Sequence, residues 1–154
     1  MTCAECGAKM QNNETCRDRF HALLAAESYN AELARMHGLT VLTYHVQHPS
    51  LTKPWYQEAA YEVMRRTFGQ GIDWWEVLSE GRHYTNSAAF QQWKRNYGST
   101  LSPEVVTRPV PGEMTIEAID PDAPSGQADV VLAWARSVAE SRVLAGNSAT
   151  QRTK

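Results

Sequence analysis

No stretch of the 154-residue chain approaches the roughly eighteen consecutive apolar residues that a membrane-spanning helix needs. The opening residues Met1-Thr2-Cys3-Ala4-Glu5-Cys6 have neither the basic nor the apolar region of a secretory signal. Lysine and arginine form no long run, and 17 acidic against 15 basic residues give a formal net charge of -2. That balance argues against nucleic acid or an anionic membrane as partner. No internal repeat and no low-complexity segment is visible, which excludes solenoids and linker-joined arrays. Cysteine is scarce, and its three copies cannot all pair within one chain. These absences predict a cytoplasmic protein with no membrane segment, in a reducing compartment where structural disulfides are rare.

What is present is an ordinary globular composition, 42% hydrophobic and 21% charged, on a chain long enough to bury a core without covalent staples. The apolar spacing predicts a mainly α protein, a single helical bundle over residues 1–146 with a knuckle at 1–16 and a disordered tail over 147–154. Helices are expected over 14–27, 31–48, 54–68, 73–78, 87–97 and 127–145. Pro49 stops the second, Pro54 starts the third, and Gly69, Gly98 and Gly146 close the third, fifth and last. Gly38 sits inside the second, where glycine costs roughly 1 kcal/mol. Between residues 100 and 126 the prolines Pro103, Pro109, Pro111, Pro121 and Pro124 predict an extended connection over the surface. Within it, Met114 to Ile119 reads as a short strand or a single helical turn begun by Thr115.

The chemistry-bearing residues crowd at one end. Cys3-x-x-Cys6-Gly7 sets two thiols on a tight turn whose glycine lets both sulfurs point at one centre. Cys16, at the start of the first helix, offers a third thiolate. This half-built site predicts structural Zn2+; a redox-active dithiol and incidental free thiols are the competing readings. A closed tetrahedral site needs a fourth ligand, and five histidines compete for it. If the first two helices pack antiparallel, a rise of about 1.5 Å per residue brings the second level with Cys16 between His37 and His48. His48 is preferred, since it lies toward the knuckle and Pro49 fixes its backbone. His37 and His45 are the alternatives, and His21 stands only five residues after Cys16.

The run from His37 to Pro49, with its His37-Gly38-Leu39-Thr40-Val41 and Tyr44-His45-Val46-Gln47-His48-Pro49 pieces, follows Cys3, Cys6 and Cys16 in a way that resembles the bacterial family DUF5946. The later Gly112-Glu113-Met114-Thr115-Ile116 and Trp134-Ala135-Arg136-Ser137-Val138 resemble that family's C-terminal pattern. The resemblance carries no established activity. It implies that Cys3, Cys6, Cys16, His37, Tyr44 and His48 belong together. The chain departs from the family pattern in having Leu42 where an acidic residue is usual, and in lacking a longer, histidine-bearing segment between the second and third cysteines.

The expected function is a binding or regulatory module with a structural metal, reading a protein or small-molecule partner. The alternative is a small metal- or thiol-dependent enzyme that uses a face formed by His37, Tyr44 and His48. Arg17, Arg19, Arg65, Arg66, Lys94 and Arg95 are scattered pairs and make a poor polyanion surface. Of the adjacent Trp74 and Trp75, directions about 100° apart predict that one is exposed at a partner face.

Overall fold

A computed structural model of the chain describes residues 2–85, 87–100 and 108–145. Thr15 opens the first helix, α1 (Cys16–Ala26), with a reciprocal cap: its hydroxyl accepts the Asp18 N–H at 3.1 Å and the Asp18 carboxylate accepts the Thr15 N–H at 2.8 Å. Such a cap contributes about 1 kcal/mol and fixes Cys16 as the first helical residue. Phe20, Leu23 and Ala26 then recur on the inner face of α1.

The single helix expected over 31–48 is in fact two, α2 (Ala31–Arg35) and α3 (His37–Gln47). The break lies at Met36, whose φ of -91° and ψ of 5° leave the helical region. Apolar spacing runs through it undisturbed, and no proline or glycine marks it. Gly38 is not the break. A Cβ there would stand 2.8 Å from the Leu78 side chain, so the glycine admits a neighbouring helix. That neighbour is the helix that begins at Trp74.

Pro54 occupies the first turn of α4 (Pro54–Met64), which continues as a π-helical turn over Arg65–Gly69. The Asp73 carboxylate caps α5 (Trp74–Thr85), accepting the Trp75 N–H at 2.9 Å, and the helix runs past the expected end at Leu78. Ser87 caps α6 (Ala88–Thr100), which continues through Gly98 instead of stopping there. The last helix, α7 (Gln127–Val138), also passes into a π-helical turn, Ala139–Leu144. The two π turns pack on each other, with Gly69 against Leu144. Pro103, Gly146 and the tail from 147 lie outside the described residues.

In the described part of the proline-rich connection, Thr115 opens a 3₁₀ turn, Ile116–Ala118, so the alternative of a short strand falls away. It does more than cross the surface. Ile116 and Ile119 are fully buried and pin it between α1 and α7. The core lies where α3 crosses α7, around the fully buried Trp134, Leu33, Leu39, Met64 and Val131. Each such side chain contributes about 1.5–3 kcal/mol by leaving water. Of the tryptophan pair, Trp74 packs against this core and Trp75 is 53% exposed.

Candidate metal centre

Residues 2–9 form a small closed turn. Cys3 N–H donates to the Ala8 carbonyl at 2.9 Å, Gly7 N–H donates to the Cys3 carbonyl at 2.9 Å, and Thr2 and Lys9 form an antiparallel bridge. Gly7 takes a left-handed φ of 82°, and a Cβ on it would meet Pro109 at 3.0 Å. Both constraints call for glycine. The Lys9 N–H donates to Glu117 at 2.9 Å, which ties the turn to the proline-rich connection. Asn12 and Asn13, also left-handed, bend the chain into the Thr15 cap, so Cys16 faces the turn.

His48 leaves the end of α3 with φ -130° and ψ 62°, held by Pro49 behind it. Its Nε2 lies 3.2 Å from Cys16 Sγ and 3.6 Å from Cys3 Sγ. The donor atoms of Cys3, Cys6, Cys16 and His48 all fall within 4.8 Å of one another. For a tetrahedral ion bonded at about 2.3 Å to sulfur and 2.0–2.1 Å to nitrogen, sulfur–nitrogen edges come to about 3.5 Å. The observed separations fit that figure, and the four residues can hold a metal ion. The imidazole is also in the right tautomer. His48 Nδ1 lies 2.7 Å from the Tyr44 carbonyl, which can only accept, so Nδ1 keeps the proton and Nε2 turns its lone pair toward the sulfurs.

Electrostatics without a cation disfavour three thiolates. Burial, and then the neighbouring Cys3 sulfur, push the Cys6 thiol well up, against the help of the Ala8 N–H. Burial and the Cys3 sulfur push Cys16 up to about 11. Cys3 is the exception. Burial opposes its ionisation, but the N–H groups of Cys6 and Glu5 and the other two thiols outweigh it, and the thiol lies below its ordinary value. Burial also lowers His48, so its ring is neutral near pH 7. A cation at the centre would reverse the balance for the sulfurs.

The other candidates lie elsewhere. His37 Nδ1 sits 2.8 Å from a Glu27 carboxylate oxygen, with its side chain 55% exposed, and does not join the cluster. His45 packs edge-on against Phe20 and Tyr56. His21 neighbours Phe20, with ring centroids 6.2 Å apart. Tyr44 does reach the site: its ring is stacked between Phe20 at 3.9 Å and His48 at 4.1 Å. Leu42, the departure from the family pattern, is a core side chain.

Four further residues hold the site in place, and sequence reasoning assigned them no role. The Glu5 carboxylate accepts the Ser50 N–H at 3.1 Å and hydroxyl at 2.8 Å, fastening the turn to the chain just after His48. Arg142 pairs with the fully buried Glu113 at 2.8 Å and also donates to the Glu5 carbonyl at 3.2 Å. Gln47 donates to Glu113 at 2.7 Å and accepts from the Trp134 indole at 3.0 Å. Gln47 shares the buried face of its helix with Thr40 and Thr43, so its polarity did not single it out.

No curated protein and no solved structure matches the chain. A family model described as a family of unknown function, DUF5946, matches residues 1–142 of the 154, a span that takes in all four clustered residues and the Glu113–Arg142 pair behind them. The chain belongs to DUF5946.

Proposed function

We propose that the protein binds one Zn2+ through Cys3, Cys6, Cys16 and His48, and that the ion fastens the N-terminal turn to the helices of a cytoplasmic binding or regulatory module. The observation that carries the reading is the gathering of four donor atoms within 4.8 Å, three of them from buried side chains. Three thiols and an imidazole form a soft, nitrogen-and-sulfur set suited to zinc and unsuited to the hard cations calcium and magnesium. Four protein donors complete a tetrahedron and leave no position for substrate. Metal analysis of the purified protein with X-ray absorption at the zinc edge tests this directly. One zinc per chain with three sulfurs and one nitrogen supports it. A protein that folds and behaves identically after chelation sinks the structural role.

A second reading, a small metal- or thiol-dependent enzyme, is favoured by one feature: Cys3 is only partly buried and its thiol lies below the ordinary value. The pairing of His37 with Glu27 weakens that reading, because the shared face of His37, Tyr44 and His48 loses its first member. An oxygen ligand on the ion would favour the enzyme.

A further inference from the structure

A groove of about 510 Å³ opens where α4, α5 and α6 meet, and none of its residues belongs to the metal centre. That volume lies within the roughly 300–1,000 Å³ usual for sites that take small organic molecules. Its floor is apolar. Ala59 and Val63 come from α4, Val77 from α5, and Phe90 and Trp93 from α6. The Phe90 and Trp93 rings lie 5.6 Å apart and 32° from parallel, which offers a broad flat surface. Gly81, inside α5, leaves room above this floor: a Cβ there would meet no atom of the described residues within 4 Å. Helix packing therefore does not require glycine at this position, in contrast to Gly38.

The rim is charged and unbalanced. Glu58 and Glu62 stand one turn apart on α4 and share a single guanidinium, with Arg65 Nη2 3.5 Å from the first and 3.1 Å from the second. Arg66 is taken by Glu80 of α5 at 2.8 Å. On α6, Lys94 is drawn over the Trp55 ring and Arg95 donates to Gln92. Among the described residues, three rim carboxylates thus meet two guanidiniums, and one negative charge is left over at the α4 edge.

We propose that this groove binds a small amphipathic organic cation, an amine with an aryl body: the body lies on Val63, Val77, Phe90 and Trp93, and the ammonium meets Glu58 and Glu62. This supplies a ligand class for the binding-module reading and rests on that part of it, while needing no ion at the cysteines. Burial of the body gives most of the affinity, and the half-exposed carboxylates choose the sign of the head group. An anion of the same shape meets them as repulsion, so they also act against the wrong ligand.

The test titrates the purified full chain by calorimetry with phenylbutylamine, phenylbutanol and phenylbutyrate, one body carrying three head groups. At low salt the amine should bind about fivefold more tightly than the alcohol, the upper end of what a half-exposed ion pair contributes, and salt should erase the margin. The butyrate should bind more weakly than the alcohol. Glu58→Gln should bring the amine to the alcohol's affinity and leave the alcohol unchanged, because Arg65 then balances Glu62 alone. Gly81→Leu should weaken both by at least about tenfold by filling the groove, while leucine favours the helix over glycine. In the unsubstituted protein, the Trp93 indole and Gly81 amide should shift in NMR spectra as the amine is added, which locates the ligand even if a variant fails to fold. Amine and alcohol bound equally, shifts confined to other residues, or Gly81→Leu binding like wild type overturns the site. A chain that self-associates and that Gly81→Leu makes monomeric places a second copy in the groove and overturns it too. Zinc is counted in the same preparations: a zinc-loaded protein that ignores the amine overturns this inference alone, and a zinc-free protein that binds it supports the groove while the metal reading falls.

Discussion

Arg142 donates from Nη2 to the main-chain carbonyl of Glu5 at 3.2 Å, across 137 residues of sequence. The guanidinium reaches that carbonyl while paired with Glu113, and the two side chains are 6% and 0% exposed. A buried pair of this kind contributes little net stability, yet removing one partner strands the other charge. Arg142→Ala should therefore cost about 3–5 kcal/mol in denaturant unfolding. Arg142→Ala combined with Glu113→Ala should cost clearly less than the sum of the single changes. Additive costs in that double-mutant cycle would show the pair to be uncoupled.

The histidines separate by what they touch. His48→Ala and Cys16→Ser should each abolish stoichiometric zinc, measured by elemental analysis after gel filtration. His37→Ala should leave zinc content unchanged and alter stability by no more than about 1 kcal/mol, because its partner Glu27 is met at a half-exposed ion pair. Loss of zinc from the His37 variant would place the wrong histidine at the centre.

How far the sequence carried this picture depends on the range of the interaction. Cys3, Cys6 and Gly7 act over a handful of residues, so spacing alone exposed them. His48 was within reach because helix rise is fixed and α1 and α3 do face each other through Phe20 and Tyr44. Met36 was not, because a bridge-region residue with helical spacing on both sides leaves no mark in the pattern. Nor was the Gln47–Glu113–Arg142 cluster, whose members are 66 and 29 residues apart and meet only once α7 has packed. The buried Ile116 and Ile119 were hidden for another reason: five prolines announce an irregular path and say nothing about its depth.

Gln47 sits where two chemistries meet, accepting from the Trp134 indole and donating to Glu113 and to the Met114 carbonyl at 2.9 Å. Gln47→Leu fills the space but leaves these groups unmatched, at about 1–3 kcal/mol for each group stranded. The accompanying change in Trp134 fluorescence offers a second reading. A stability within about 0.5 kcal/mol of wild type would mean that water replaces the amide at no cost.

Gly7→Ala strains the turn twice, through its φ of 82° and through Pro109 at 3.0 Å. We expect a loss of at least about 1 kcal/mol and faster zinc release to a chelator. Unchanged release kinetics would show that the turn can take up another path without disturbing Cys6.

Proton release gives an independent count. Cys6 and Cys16 are raised above the 9.0 of an ordinary thiol, the latter to about 11, so both hold protons at neutral pH in the metal-free chain. His48 is lowered from 6.5 and contributes none at pH 7.5. Zinc uptake at that pH should release at least two protons, read by calorimetry in buffers of different ionisation enthalpy, and affinity should rise with pH. The metal-free protein should behave oppositely. Thiols raised on folding favour the native state below pH 9.0 and lose that contribution as pH climbs toward 11. Release of fewer than two protons would mean the thiols are already ionised.

The separation of the ligands along the chain also sets a clock. Cys16 precedes His48 by 32 residues, which at about 5–20 residues per second is about 2–6 s of synthesis. During that interval the thiols of the nascent chain are exposed to whatever ions and oxidants surround the ribosome, with no imidazole to complete the set. Arg142 follows Glu5 by 137 residues and arrives about 7–27 s after it. The support that Arg142 gives the cysteine turn through the Glu5 carbonyl is therefore completed only after the four clustered residues have all been made.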